Sequence, residues 1–199
     1  MQTTGKKTWT VESPNQKTRA EIVVNEDGLF YTVQHNGEDV IQSSPLGITV
    51  DEIDCGRLPT PASASPKRGE IDETYSIRGV KSKARNHCAT LSIPLQTQDR
   101  QWRLETRAYD DGFAFRYVLP GKSSRTVNSE TTSFTLPETS KVWFFERNNA
   151  WKLKSHAGEW ISTDICKMPS VSKQGPVQGL PLVIELPRNG YALLAEAAC

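Results

Sequence analysis

The side chains in this sequence that could do acid–base, nucleophilic or metal chemistry are few and scattered. Three histidines, His35, His87 and His156, lie far apart along the chain, and bringing all three onto one metal is an unusual demand on a fold. His35 stands beside an Asn-Gly pair and is expected at an exposed turn. Adjacent carboxylates occur at Asp110-Asp111 and Asp72-Glu73. The first pair precedes Gly112 between two alternating runs, where aspartate is favoured for its hydrogen bonds to nearby backbone, so turn chemistry accounts for it. The second pair, read on a strand, sends its carboxylates to opposite faces, where they cannot meet on one substrate atom. Glu196 is the most interesting charge. The segment Tyr191 to Ala198 is apolar on both alternating faces, the pattern of a strand covered on both sides, and a carboxylate there calls for a partner or a cation. The plainer account is that Glu196 lies just past the covered part and is solvated. Glu185 reads as a solvent-facing strand residue.

Familiar catalytic motifs are missing from the sequence. Gly121-Lys122-Ser123 resembles the end of a phosphate-binding loop, but Arg116 occupies the place of that motif's first glycine. There is no Gly-x-Ser-x-Gly elbow, no His-Glu-x-x-His and no Gly-x-Gly-x-x-Gly. The cysteines Cys55, Cys88, Cys166 and Cys199 include no Cys-x-x-Cys pair, so neither a zinc knuckle nor a thioredoxin-type motif is encoded. Buried or idle thiols are the expectation, and two disulfides after export are the alternative.

The elements that must position these residues are strands, because the apolar pattern has a period of two almost throughout. Ala20–Val24, Leu29–His35 and Glu38–Ile41 are separated by turns ending in Asp27-Gly28 and Asn36-Gly37, which predicts a three-stranded antiparallel meander. Trp102, Leu104, Thr106 and Ala108 alternate with polar residues, Asp110-Asp111-Gly112 turns the chain, and Phe113, Phe115 and Tyr117 alternate on the way back. One face of this hairpin is expected to be core. Further strands are read at Leu91–Leu95, Ser133–Leu136, Val142–Phe145, Leu182–Leu186 and Tyr191–Ala197. No stretch has helical spacing, so the fold class is all-β. Arg57–Glu70, with Pro59, Pro61 and Pro66, reads as a long surface loop or partly disordered insertion, and Cys166–Pro181 is similar. There is no internal repeat.

Composition narrows the partners. The chain has 199 residues, with 24 Lys and Arg against 23 Asp and Glu, a formal charge of 24 − 23 = +1. With no basic run either, nucleic acid is a poor partner. No apolar stretch is long enough for a membrane helix, and Met1–Lys7 is not followed by one of signal-peptide length.

Several segments taken together resemble the N-terminal domain of glycoside hydrolase family 97. They are Ser13-Pro14-Asn15, the Asn-Gly hairpin, Ser44-Pro45-Leu46-Gly47-Ile48, Asp72-Glu73-Thr74-Tyr75, Arg85-Asn86-His87, Arg107 through Tyr117, and Tyr191 through Ala197, in that order and spanning essentially the whole chain. The resemblance implies an antiparallel β-supersandwich of the galactose-mutarotase kind over residues 1–199. It implies a separate (β/α)8 barrel carrying the catalytic carboxylates, for which about 250 further residues are needed. Family members are exo-acting α-glucosidases or α-galactosidases, inverting or retaining, with a calcium ion at the sugar site. They are usually periplasmic or secreted, whereas no export address is seen here.

On that resemblance, Glu196 matches a carboxylate lent to the calcium shell, and Arg85, Asn86 and His87 match a sugar-facing cluster, or else residues bracing an interdomain surface. Calcium takes six to eight oxygens, so Glu196 would hold it only with barrel glutamates. The sequence departs from the family at Cys88-Ala89-Thr90, and its stop at Cys199 predicts a sandwich truncated at the C-terminal end. Two other readings remain. One is a freestanding carbohydrate-binding module, with Trp151 and Trp160 as stacking candidates and Trp102 and Trp143 as core. The other is a mutarotase-type enzyme using His87, His156 and Glu196 as acid and base.

Overall fold

The computed structural model describes residues 5–121, 123–146, 159–171, 179–188 and 190–196. Residues 1–135 and 136–199 form two compact units. The fold is the expected all-β antiparallel sandwich. In the first unit β1 (Lys7–Glu12), β2 (Thr18–Asn25), β3 (Gly28–His35) and β4 (Glu38–Pro45) pair in sequence order. The predicted meander is therefore β2–β4, with β1 added in register from Lys7↔Val24 to Glu12↔Arg19. Asn36 and Gly37 both take positive φ at the β3–β4 turn, as a tight two-residue hairpin requires. His35 is half-buried instead of exposed, its Nδ1 lying 3.0 Å from the Thr18 hydroxyl.

The opposing sheet is built on β9 (Lys83–Thr97) and β10 (Arg100–Tyr109), flanked by β11 (Gly112–Val118), β7 (Thr60–Pro61) and β8 (Lys67–Ser76). Along β10, Trp102, Leu104, Thr106 and Ala108 are buried, and across the ladder so are Leu91, Ile93 and Leu95 of β9. They share the core with Trp9, Val11, Ala20, Ile22, Val24 and Tyr31 of the first sheet. The pleat explains this selection, since alternate residues of each strand face the other sheet and the rest face water. Burying one large aliphatic side chain in this way contributes roughly 1.5–3 kcal/mol. Cys55 and Cys88 are free thiols buried in this unit, while Cys166 of the second unit is free and exposed.

Two expectations need correction in this unit. Arg57–Glu70 is not a loop throughout, because β7 and the first residues of β8 lie within it and pair with β9. The start of β8 is not legible because the strand is exposed on nearly every residue, leaving no apolar alternation to read. Ser133–Leu136 is not a strand but a single bridge, Thr135↔Gln42. A third, small sheet joins β5 (Ile48–Val50), β6 (Ile53–Asp54) and β12 (Val127–Glu130).

The second unit holds one sheet in the order β14 (Glu159–Asp164), β13 (Lys141–Glu146), β15 (Leu182–Glu185) and β16 (Tyr191–Leu194). Val142, Phe144 and Ile184 are fully buried on one face. The other face differs from expectation: Trp143 is 39%, Tyr191 71% and Leu193 62% exposed, so Trp143 is not core and β16 is not covered on both sides. Alternation alone reports that a strand has two kinds of face, not that both are packed. Glu185 is half-buried. Cys166–Pro181 begins with a 3-10 turn at Ile165–Lys167 and α1 (Met168–Val171); residues 172–178 lie outside the described ones. Among the described residues no helix is long and apolar enough to cross a membrane.

Gly56 is closely approached by neighbouring backbone. Its carbonyl accepts from the Leu29 N–H at 3.1 Å, and its own N–H donates to Asp54 Oδ1 at 2.9 Å. A Cβ here would collide with the Leu46 carbonyl oxygen and stand 2.6 Å from the Gly47 Cα. Backbone cannot rotate aside as a side chain can. Gly56→Ala should therefore lower the unfolding free energy by about 1–3 kcal/mol, and Gly112→Ala, where an added Cβ meets nothing within 4 Å, by under about 0.5 kcal/mol. Urea denaturation of the two variants checks this, and equal stabilities would refute the close approach.

Candidate functional site

Arg85, Asn86 and His87 sit on the part of β9 that extends beyond β10, where β8 alone pairs with it among the described strands. The β9–β10 ladder reaches only to Cys88↔Tyr109, whereas the β8–β9 ladder continues through Asp72↔His87, Glu73↔Asn86 and Thr74↔Arg85 to Ser76↔Lys83. These positions form a projecting two-stranded ribbon. Consecutive strand residues alternate in direction, so Arg85 and His87 share one face with Glu70 and Asp72, and Asn86 shares the other with Glu73. The three residues do not converge as a group.

Each of them is engaged across the ribbon. Arg85 donates through Nε to Asp72 Oδ1 at 2.8 Å and through Nη2 to Oδ2 at 2.7 Å, a two-point fork. His87 Nε2 lies 2.7 Å from Glu70 Oε1, and Asn86 Nδ2 donates to Glu73 Oε1 at 2.7 Å. The hydrogen bonds from Arg85 hold the Asp72 carboxyl below the usual aspartate range, helped by the charges of Arg85 and His87 and opposed by desolvation. Arg85 is raised in turn, chiefly by its hydrogen bond to Asp72. Neither Glu70 nor Asp72 is a site candidate in the sequence reading: Glu70 only ends the Arg57–Glu70 stretch, and Asp72 enters in the Asp72-Glu73 pair, whose opposite faces rule out a shared substrate atom. An acidic run, Glu70 to Glu73, followed at hairpin distance by Arg85-Asn86-His87, was the available signal.

The other candidates lie elsewhere. Asp110 is a turn residue, and its Oδ1 accepts from the Asn15 N–H at 2.9 Å, tying the β1–β2 turn to the β10–β11 turn. Glu196 belongs to the second unit, exposed and two residues past β16. His156, Trp151 and Cys199 lie outside the described residues. Trp160, 54% exposed, pairs across the sheet with Phe145, their rings edge-to-face with centroids 6.1 Å apart. The ladder pairs place Trp143, Phe145, Trp160, Leu193 and Tyr191 on one sheet face.

Calcium is the metal the family resemblance implies, and the described residues by themselves do not gather a shell for it. Among the described residues no group of three or more His, Cys, Asp or Glu side chains could hold a metal ion. Glu196 alone offers at most two of the six to eight oxygens calcium takes.

Residues 11–199 match the family model described as Glycosyl-hydrolase 97 N-terminal. The chain belongs to glycoside hydrolase family 97. A probable retaining alpha-galactosidase of Streptomyces bingchenggensis is 31% identical, the match covering 71% of this chain and 23% of that protein. A retaining alpha-galactosidase of Bacteroides thetaiotaomicron is 28% identical over 66% of this chain and 19% of its own length. The chain thus spans about a quarter or less of the curated relatives it matches. A solved structure of a beta-arabinopyranosidase superposes with a TM-score of 0.84 at 23% identity, covering 96% of this chain and 32% of that one. The matched third of that protein shares the fold of this chain.

The Asp72–Arg85 fork has a pH consequence. A carboxyl lowered in the folded state contributes stability that is fully present above the ordinary aspartate value and is lost as pH falls through the lowered one. In an NMR titration Asp72 should ionise below an ordinary aspartate, and Arg85→Met should move its midpoint back up. An unchanged midpoint in the variant would show that the fork is not formed in solution.

Proposed function

We propose that this family 97 chain is the non-catalytic N-terminal β-sandwich of an exo-acting, calcium-dependent α-glycosidase. Its substrates would be α-galactosides, with α-glucosides as the other class the family resemblance implies. The observation that carries the proposal is the family match over residues 11–199, joined to curated relatives named retaining alpha-galactosidases of which this chain spans 23% and 19%. In this reading a (β/α)8 barrel, outside this chain, holds the catalytic carboxylates. The sandwich buttresses it and lends Glu196 as one carboxylate to a calcium whose other ligands come from the barrel. Arg85 and His87 would stiffen the ribbon where it meets that barrel or the sugar.

The isolated chain should release no nitrophenol from p-nitrophenyl α-galactoside and should bind calcium no more tightly than about millimolar, the weak end of protein calcium sites. A chimera in which it replaces the corresponding segment of the Streptomyces relative should keep that enzyme's α-galactosidase activity. Glu196→Gln in the chimera should raise the calcium concentration needed for half-maximal activity by about tenfold or more. Turnover by the isolated chain would end the non-catalytic reading, and an unmoved calcium requirement would end the role of Glu196.

One observation favours a second reading, a freestanding carbohydrate-binding module. The face carrying Trp143, Trp160 and Tyr191 presents aromatic surface to solvent, and such rings stack on the apolar faces of sugars. Calorimetric titration with α-galactosides and α-glucosides at millimolar concentration should then give heat that Trp160→Ala abolishes. No heat from the parent chain removes the module.

A further inference from the structure

A cleft of about 440 Å³ opens where the β9–β10 turn, β6 and the segment after β11 come together, walled by Leu119 and Pro120 and by the polar side chains of Asp99, Arg100, Gln101 and Arg125. Two guanidiniums at this cleft are fixed on one carboxylate. Asp51 Oδ2 lies 2.9 Å from Arg125 Nη1 and 3.4 Å from Arg100 Nη2, while Asp51 Oδ1 accepts from the Thr126 N–H at 2.9 Å. Arg100, only 17% exposed, also donates through Nη1 to the Val50 carbonyl. Arg125 Nη2 lies 3.5 Å from the Pro120 carbonyl oxygen. Gly121, at φ +129°, leaves room behind that guanidinium, since a Cβ there would stand 3.2 Å from Nη2.

The backbone that holds Asp51 is strained. Asp51 and Glu52 form the β5–β6 turn at φ 49° and 65°, a left-handed region costly for residues other than glycine. A turn needed only to reverse the chain would suit Asn-Gly, as at Asn36-Gly37. Here the strain is held down by Asn128, whose Oδ1 accepts from the Glu52 N–H at 3.0 Å and whose Nδ2 donates to Glu52 Oε1. The result of holding the turn is a placed Asp51 carboxylate and two oriented guanidiniums. With Asp99 on the same lining, two carboxylates stand against two guanidiniums, so the cleft's attraction for an anion rests on donors: each guanidinium carries more N–H groups than these contacts use.

We propose that the Arg100–Arg125 cleft binds a carboxylate-bearing ligand, either an acidic saccharide of the uronate type or a free small carboxylate. Planar forks of N–H donors match carboxylate oxygens in geometry and charge. The volume falls within the range of small-molecule sites, and Leu119 and Pro120 offer an apolar wall for a sugar ring. Asp99, exposed at the rim, opposes an anion and sets a ceiling on affinity. The proposal does not depend on the glycosidase reading.

The test is a titration of the whole isotope-labelled chain with galacturonate, acetate and galactose, following the arginine Nε resonances and the amides of residues 99–101. Galacturonate should shift Arg100 and Arg125, and galactose should not. Acetate binding as tightly as galacturonate assigns the site to small carboxylates, and weaker acetate binding assigns it to acidic saccharides. Arg125→Met should weaken binding by about tenfold, the loss of a charge-assisted hydrogen bond. Asp99→Asn, at an exposed turn position that does not threaten folding, should tighten it by about threefold. The proposal is overturned if neither acid shifts these residues, if galactose shifts them equally, or if the affinity of Asp99→Asn does not rise.

Discussion

The hydrogen-bond ladder along β9 is the constraint on which the first unit depends. Every backbone N–H and C=O of a buried strand needs a partner, and β9 meets that demand differently along its length. Its ladder to β10 covers Cys88 to Thr97, and its ladder to β8 covers Lys83 to Ser92. Cys88 to Ser92 lies between β10 and β8, and Leu95 and Gln96 lie between β10 and β7. Leu91, Ile93 and Leu95 anchor the half paired with β10 in the core, which fixes register, because a one-residue slip would turn all three toward water. The ribbon beyond Cys88 inherits that register. A two-stranded ribbon is marginal by itself, so its cross-strand pairs, Arg85 with Asp72, Asn86 with Glu73 and His87 with Glu70, refine an alignment that the core has already set. Exposed pairs of this kind are individually weak, which is why the anchored half and not the polar half decides whether the ribbon keeps its shape.

The β5–β6 turn follows the opposite logic. There the core contributes little, and polar contacts hold a backbone that sterics disfavour. Thr126 and Asn128 of the neighbouring segment grip Asp51 and Glu52 through main-chain and side-chain hydrogen bonds. Arg125 and Arg100 lower the Asp51 carboxyl further below its ordinary value, after the larger effect of the Thr126 N–H. A strained turn held by several independent contacts is pre-organised, since loss of one contact leaves the others to keep the geometry.

What was legible in the sequence follows from which forces leave a periodic trace. The β10–β11 hairpin was readable because one face of it is core and its turn carries Asp-Gly. The β2–β4 meander was readable for the same reason. Of strand β8 only the Asp72-Glu73 pair reads as strand, because Lys67–Ser76 is exposed on nearly every residue and its other marks are cross-strand partners, which a single chain does not reveal until the pairing is known. Trp143 was misread because aromatic residues in strands are usually core, and alternation cannot say which face is covered. Arg85, Asn86 and His87 were found as residues but not as geometry. Their adjacency suggested a cluster, whereas the pleat sends Asn86 away from the other two.

The same argument explains why motif search finds so little chemistry here. A motif is detectable when one chain brings all the reacting groups together, since spacing then reflects geometry. Glu196 follows a short strand in the second unit, and among the described residues no set of three or more potential metal ligands is present. In the proposed reading Glu196 would complete a site built mainly by other residues, and a side chain in that position need carry no local mark of its role. Recognition came instead from the ordered set of turns and strands across residues 11–199, the feature that folding itself requires to be present within the chain.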